Sequence, residues 1–263
     1  MAKPKFFTPE PKMPTPEEHR TASLSWLRRV QPTLIDQWPA DLAALSMPTT
    51  MVKIDVPAVW DGLCAGHDGK GIAAPLVALA AELDAAMGWN RKFVRLNSRS
   101  PKDAIWPFEV PATLSGKEAV SMLTGSMRVM DDLLEFRYVP EQPAYVCLRD
   151  WVYGFNTADE YRGFVKDRKL IAVTHYDYIH PWAGPADGGK ALRSEIEQWF
   201  TSALLPVLHV DTVVFDIHVG RDSILLIEIN PYGLSDPCHF GDYESVENAR
   251  GYVEFAKPDA LAA

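Results

Sequence analysis

Apolar positions along this chain change rhythm about half-way, from helical spacing to strand alternation. In the first half, residues 17–30 and 34–45 read as short helices, broken repeatedly by Pro32, Pro39 and Pro48, which have no backbone N–H to donate. Five prolines among the first sixteen residues precede them, so residues 1–49 are expected to form an irregular N-terminal arm or cap. Residues 50–55 predict a strand, and 72–87 a helix closed by Gly88, the residue that enters the left-handed C-cap region without strain. A second strand follows over 92–97, then a loop of small and charged residues over 98–106. Ser115 and Glu118, three apart before an apolar run, are the signature of a capping box opening a helical stretch to about Leu134, interrupted near Gly125.

From residue 144 onward the runs are short, β-branched and aromatic: 144–148, 160–166, 170–176, 213–219 and 224–230 predict strands. One helix interrupts them, over 190–205, with Leu192, Ile196, Trp199, Phe200, Ala203 and Leu204 on a single face. Paired strands backed by one long helix make an α+β lobe. No internal repeat or low-complexity tract is present.

At 263 residues the chain is long enough for one large domain or two packed lobes. The formal net charge of −9 excludes a broad electrostatic grip on nucleic acid or an anionic membrane, though not a local basic pocket. No apolar h-region stands in the first eighteen residues, and the longest apolar run, 72–81, contains Pro75 and is half of what a bilayer span needs. Cys64, Cys147 and Cys238 are odd in number and far apart, which argues against a disulfide framework or a structural zinc site. A cytoplasmic protein is expected.

The sharpest chemical feature is VVFDIHVGRDSILLIEIN at 213–230. Strand alternation turns Val213, Phe215, Ile217 and Val219 to the core and Asp216 to the opposite face with Val214 and His218. With an odd-length hairpin loop at 221–223, Asp216 falls opposite Glu228, and Asn230 lies two residues further along the same face. An even-length loop separates them, and a merely solvated polar face remains the alternative. Two opposed carboxylates repel, and a hard divalent cation such as Mg²⁺, completed by water and phosphate, resolves the conflict. Matching anion-binding groups are available near strand ends: Arg95, Arg99, Lys102, Arg149, Arg162, Lys166 and Lys169. There is no P-loop, dinucleotide fingerprint or nucleophile elbow, and the seven histidines show no metal-ligand spacing.

FVRLNSRSPKDAIW, LRDWV, DEYRGFVKDRKLIAVTHYDY and VVFDIHVGRDSILLIEINPYGLSDPCHF occur in order over about residues 93–240. In these four motifs the chain resembles the cell division cycle protein 123 family, a divergent clade of the ATP-grasp superfamily. The resemblance implies an α+β fold in which two lobes, over 50–147 and 148–245, clasp ATP, with a tail over 246–263. It implies that Asp216, Glu228 and Asn230 hold Mg²⁺ against the ATP phosphates. Arg95 stands where the family has a phosphate-binding lysine, and Lys102 belongs to the loop near the phosphates. Cys147, Leu148, Arg149, Asp150 and Trp151 are implied as the hinge that receives adenine. Arg162 and Lys166 would point at the phosphates from the second lobe as catalytic cations, with Glu160 near the ribose. Two departures stand out: arginine for lysine at Arg95, and His175-Tyr176-Asp177-Tyr178 where the family often has Gln-Arg-Asp-Tyr, one positive charge fewer.

Two functions follow from the resemblance. The first is an ATP-dependent ligase that forms an acylphosphate and joins a carboxylate to an amine or thiol, which needs no side-chain nucleophile. The alternative is an ATP-bound assembly chaperone for translation initiation factor 2, its client the gamma subunit, with little or no turnover. The residues after Tyr243 carry no long acidic extension, so the ligase is the expected reading. A fold that has lost nucleotide binding is disfavoured by the intact Asp216, Glu228 and Asn230 set.

Overall fold

The computed structural model describes residues 14–66, 73–104, 112–179 and 189–249, with the backbone of 253–254. Parts of the expected arm (1–13) and tail (250–252 and 255–263), and the loop positions 105 and 106, lie outside these described residues.

The chain enters through α1 (Pro16–Val30), started by a reciprocal cap. The Thr15 hydroxyl accepts from the Glu18 N–H at 3.2 Å, and the Glu18 carboxylate accepts from the Thr15 N–H at 2.7 Å. Pro32 and Pro39 then reduce the expected second helix to 3-10 turns and one helical turn, α2 (Ala40–Ala43). This segment is a strap built into both lobes: Leu27, Val30 and Leu34 lie in the first core, while Leu42 lies in the second, flanked by Trp38 and Leu45.

The first lobe carries β1 (Thr49–Ile54), α3 (Val56–Gly66), α4 (Ala74–Met87), β2 (Lys92–Leu96), α5 (Gly116–Thr124), α6 (Met127–Tyr138) and β3 (Ala144–Asp150). Its antiparallel sheet has the order β1-β3-β2. The central strand β3 runs three residues past the expected lobe boundary at 147/148. Gly88 takes φ +66° after α4. At α5 the Ser115 hydroxyl accepts from the Glu118 N–H, but the Glu118 carboxylate reaches the Leu114 N–H, so only half of the box forms. Ser126 caps α6 after the break at Gly125.

The second lobe comprises β4 (Glu160–Lys166), β5 (Lys169–His175), α7 (Lys190–Trp199), a π-turn Phe200–Leu204 leading into α8 (Leu205–Val207), β6 (Val213–Val219), β7 (Ile224–Asn230), α9 (Tyr243–Asn248) and β8 (Val253–Glu254). The sheet order is β7-β6-β4-β5-β8. Ile196, Phe200 and Leu204 of the helix bury against Phe215, Ile217 and Leu226. Gly163 is required by this packing, because the Phe215 ring lies on its backbone and an added Cβ would sit 2.1 Å from the ring.

The β6–β7 register carries the site. Val219 pairs with Ile224, so four residues, an even number, separate the strands, contrary to the expected odd-length loop. A bulge repairs the register. Ile217 pairs with Leu226 but Asp216 pairs with Glu228, leaving Ile227 as the extra residue. The Ile227 carbonyl accepts from Arg149 Nη1 of the first lobe at 2.6 Å. Among the described residues no helix is long and apolar enough to cross a membrane.

Candidate functional site between the lobes

Strand alternation and the bulge place Arg162 on β4, Asp216 on β6 and Glu228 on β7 side by side in one row. Arg95 on β2 of the first lobe completes the row by pairing with Glu228. The order of charge is therefore positive, negative, negative, positive. Arg162 forks onto Asp216, with Nε to Oδ1 at 2.7 Å and Nη2 to Oδ2 at 2.8 Å, and its Nη1 donates to the Asp236 carbonyl at 2.7 Å. Asn230 Nδ2 donates to Asp216 Oδ2 at 3.2 Å. Arg95 also donates to the carbonyls of Leu96 and Ser98, at 3.0 and 3.2 Å, so its guanidinium is fixed from both sides.

Lys102 comes over this row from the loop after β2. Its ammonium donates to the Tyr176 hydroxyl and stands 4.2 Å from the ring centroid, and the Arg162 guanidinium carbon lies 4.8 Å from the same centroid. Burial opposes the charge on Lys102, but Glu228, Tyr176 and Asp216 outweigh it and raise its pKa. Burial likewise works against the Glu228 carboxylate, yet Arg95 and Lys102 together hold it well below the usual range. Asp216 goes the other way, pushed up by burial that Arg162 only partly offsets. Beside them Glu160 is pushed up to about 7 by burial, with Lys102 pulling against it. Arg95, Lys102 and Arg162 thus face Asp216 and Glu228, an excess of one positive charge.

The family model D123 matches residues 78–257 of the chain. The chain belongs to the D123 family. The translation initiation factor eIF2 assembly protein of Candida albicans is 30% identical over 169 residues, covering 56% of this chain and 47% of that protein. The cell division cycle protein 123 of Eremothecium gossypii is 28% identical over 162 residues, covering 56% of this chain and 44% of that one. The chain therefore spans less than half the length of these curated D123 relatives. The solved structure of Cdc123 from Schizosaccharomyces pombe has a TM-score of 0.72 at 21% identity, covering 88% of this chain and 97% of that one, a likeness of fold.

In this D123 protein the site residues read from the sequence divide into two groups. Arg95, Lys102, Arg162, Asp216, Glu228 and Asn230 come together, with Glu160 alongside. Residues 147–151 flank them on and just after β3: Cys147 and Arg149 lie near enough to Arg95 to feel its charge, and Arg149 also feels Glu228. Cys147 and Leu148 are buried within the central strand of the first sheet, and burial pushes the Cys147 thiol up to about 12. The N–H groups of Asp150 and Trp151 are spent on the Pro48 and Arg91 carbonyls, and the Asp150 side chain pairs with Lys92. Arg149 points to the bulge and to the Ser46 hydroxyl, so it pins the lobes. Lys166, four residues along β4 from Arg162, is on the surface, paired with Glu247 at 2.7 Å.

Sequence reasoning missed two residues. Tyr176 carries a signal, since it stands where the resembled family often has arginine, but in the sequence this reads only as a missing charge. Asp132 has one as well: it shares the helical stripe of Val129, Leu133 and Phe136, where a carboxylate is out of place. It accepts from Ser98 at 2.6 Å and pairs with Arg99 at 3.2 Å, while Asp103 accepts from Ser126 and the Arg128 N–H at the start of α6. Both ends of the Lys102 loop are thereby moored to α6.

Proposed function

We propose that this D123-family protein binds a magnesium nucleoside triphosphate, ATP in the ATP-grasp manner, between its lobes and uses it to assist assembly of a translation initiation factor. The observation that carries the nucleotide half is the charge excess of the interlobe cluster. Asp216, Glu228 and Asn230 supply the hard oxygen atoms that Mg²⁺ prefers, but the two carboxylates are already paired with cations, and the three cations, outnumbering them, would repel a bare divalent ion. A polyphosphate reverses that balance. Its oxygens satisfy Arg95, Lys102 and Arg162, freeing the carboxylates for the ion that accompanies it. The residues therefore fit the metal with its anion, and do not fit the metal alone. When bound, Mg²⁺ would supply charge neutralisation on the phosphates.

Each residue then has a defined task. Arg95 and Lys102 bring the first lobe to the anion, and Arg162 turns from Asp216 to the phosphate oxygens, holding the second lobe to it and releasing Asp216 to the ion. Glu160, its pKa raised to about 7 by burial, is about half protonated near pH 7 and repels the phosphates less than an ordinary carboxylate would. The client half of the proposal is supported by the names of the curated relatives, which describe assembly of eIF2. It puts the assembly chaperone ahead of the ligase, with the gamma subunit of initiation factor 2 as the proposed client. The free thiols Cys64, Cys147 and Cys238 accord with a reducing, cytoplasmic setting.

Two measurements on the purified chain separate the readings. Co-purification with the gamma subunit in the presence of Mg²⁺ and ATP, without phosphate release, supports the chaperone. Phosphate release that depends on an added carboxylate and amine or thiol, with no client retained, supports the ligase instead.

A further inference from the structure

Among the described residues Tyr176 is the one aromatic side chain set against two of the site's cations. It follows β5 directly, its N–H bound to the Glu160 carbonyl of β4 at 2.9 Å, so the end of the β4–β5 ladder fixes where the ring emerges. The ring stands 4.2 Å from the Lys102 ammonium and 4.8 Å from the Arg162 guanidinium, and the phenol oxygen accepts from Lys102. Lys102 comes from the first lobe and Tyr176 from the second. An ammonium withdrawn from most of its water needs a partner, and a hydroxyl oxygen with a π-face is the weak, neutral version of what a phosphate oxygen offers.

We infer that Tyr176 is a built-in competitor for the anion: it occupies Lys102 and faces Arg162, an incoming phosphate must displace it, and it thereby sets the affinity of the site. This rests on the nucleotide reading above, and it deepens it. The consequence has an unusual sign. A residue that simply supports the site weakens binding when removed, whereas removing a competitor strengthens it. Tyr176→Phe deletes the hydroxyl acceptor and keeps the ring volume, so the unliganded protein loses a hydrogen bond that the liganded protein does not have.

The test is calorimetric titration of magnesium tripolyphosphate, and separately of magnesium ATP, into the wild-type chain, Tyr176→Phe and Tyr176→Leu. The Phe variant is expected to bind about tenfold more tightly, the value of about one hydrogen bond to a charged group. Its unliganded melting temperature is expected to fall by about 3 °C. The Leu variant, lacking the ring face too, should bind at least as tightly as Phe. Binding by the variants where the wild type shows none also upholds the inference, since the competitor would then close the site. Wild-type binding with unchanged or weaker binding by both variants overturns the inference and leaves the nucleotide reading standing. Silence from all three proteins, with folding verified by their melting curves, overturns both.

Discussion

Replacing Glu228 by Gln keeps the shape of the side chain and removes the counter-charge of Arg95. Both partners are buried, at 3% and 7% exposure, so water cannot compensate for the loss. Breaking a buried ion pair from one side costs about 3–5 kcal/mol, because the remaining charge is left unpaired. The neighbourhood makes the upper half of that range the expectation. Arg149, its pKa lowered to about 10 by burial and then by Arg95, loses the offsetting attraction of Glu228, and so does Lys102. At about 2–4 °C per kcal/mol for a chain of this size, the melting temperature should drop by roughly 8–20 °C. Adding Arg95→Met to Glu228→Gln should recover part of the loss, since the stranded guanidinium is gone. The pH dependence has a definite sign. The folded pKa of Glu228 lies well below its unfolded value near ~4.3, so its contribution is present above that value and fades as pH falls towards the folded one. Urea unfolding at pH 7, 5.5 and 4 measures the gap between wild type and variant. It should stay constant from pH 7 to 5.5 and narrow only below about 4.3. A loss under about 1 kcal/mol at pH 7, or a gap already closing near pH 6, would refute the assignment of Glu228 as the charged partner.

Three other perturbations probe separate parts of the structure. Gly163→Ala drives a Cβ into the Phe215 ring and should cost about 1–3 kcal/mol in urea unfolding, partly recovered by Phe215→Leu. Asp132, raised to about 6 chiefly by burial, binds its proton more tightly in the folded state. The stability difference between wild type and Asp132→Asn should therefore shift by about 2 kcal/mol against the wild type as pH rises from about 4 to 6, as read by urea unfolding of both proteins. Lys166→Ala, at a pair exposed on both sides, should change stability by less than about 1 kcal/mol and leave magnesium ATP affinity unaltered in calorimetry.

The strands that build the second lobe were legible because their chemistry delimits them. β4, β6 and β7 begin and end where β-branched runs meet charged or glycine turns, so residues 160–166, 213–219 and 224–230 could be read directly. The juxtaposition of Asp216 and Glu228 was also legible, although by a different route from the one the loop suggested. Four residues separate the paired strands where an odd number was assumed, and the Ile227 bulge restores the pairing. Nothing local announces that bulge. Its carbonyl is held by Arg149, 78 positions away on the other lobe, so its cause is tertiary. The same limit applies to the strap: Pro32, Pro39 and Pro48 show that helix is broken there, but not that Leu34 and Leu42 enter different cores. Lys166 shared a strand and a face with Arg162, yet four residues at about 3.3 Å each carry it roughly 13 Å away, to Glu247. Arg149 reads as a phosphate or hinge residue by type alone; only its depth and its reach across the interface show it to be a pin.

The most direct check on the interlobe cluster is isothermal calorimetry with three titrants: magnesium chloride, ATP with excess magnesium, and the same magnesium ATP against Asp216→Asn. The expected result is no heat from the metal alone, one site for magnesium ATP on the wild-type chain, and that site lost in the variant. Folded wild-type and Tyr176→Phe chains that both ignore magnesium ATP, or a wild-type chain that takes up bare magnesium as readily as the complex, would contradict a cationic cleft made for a metal and its phosphates together.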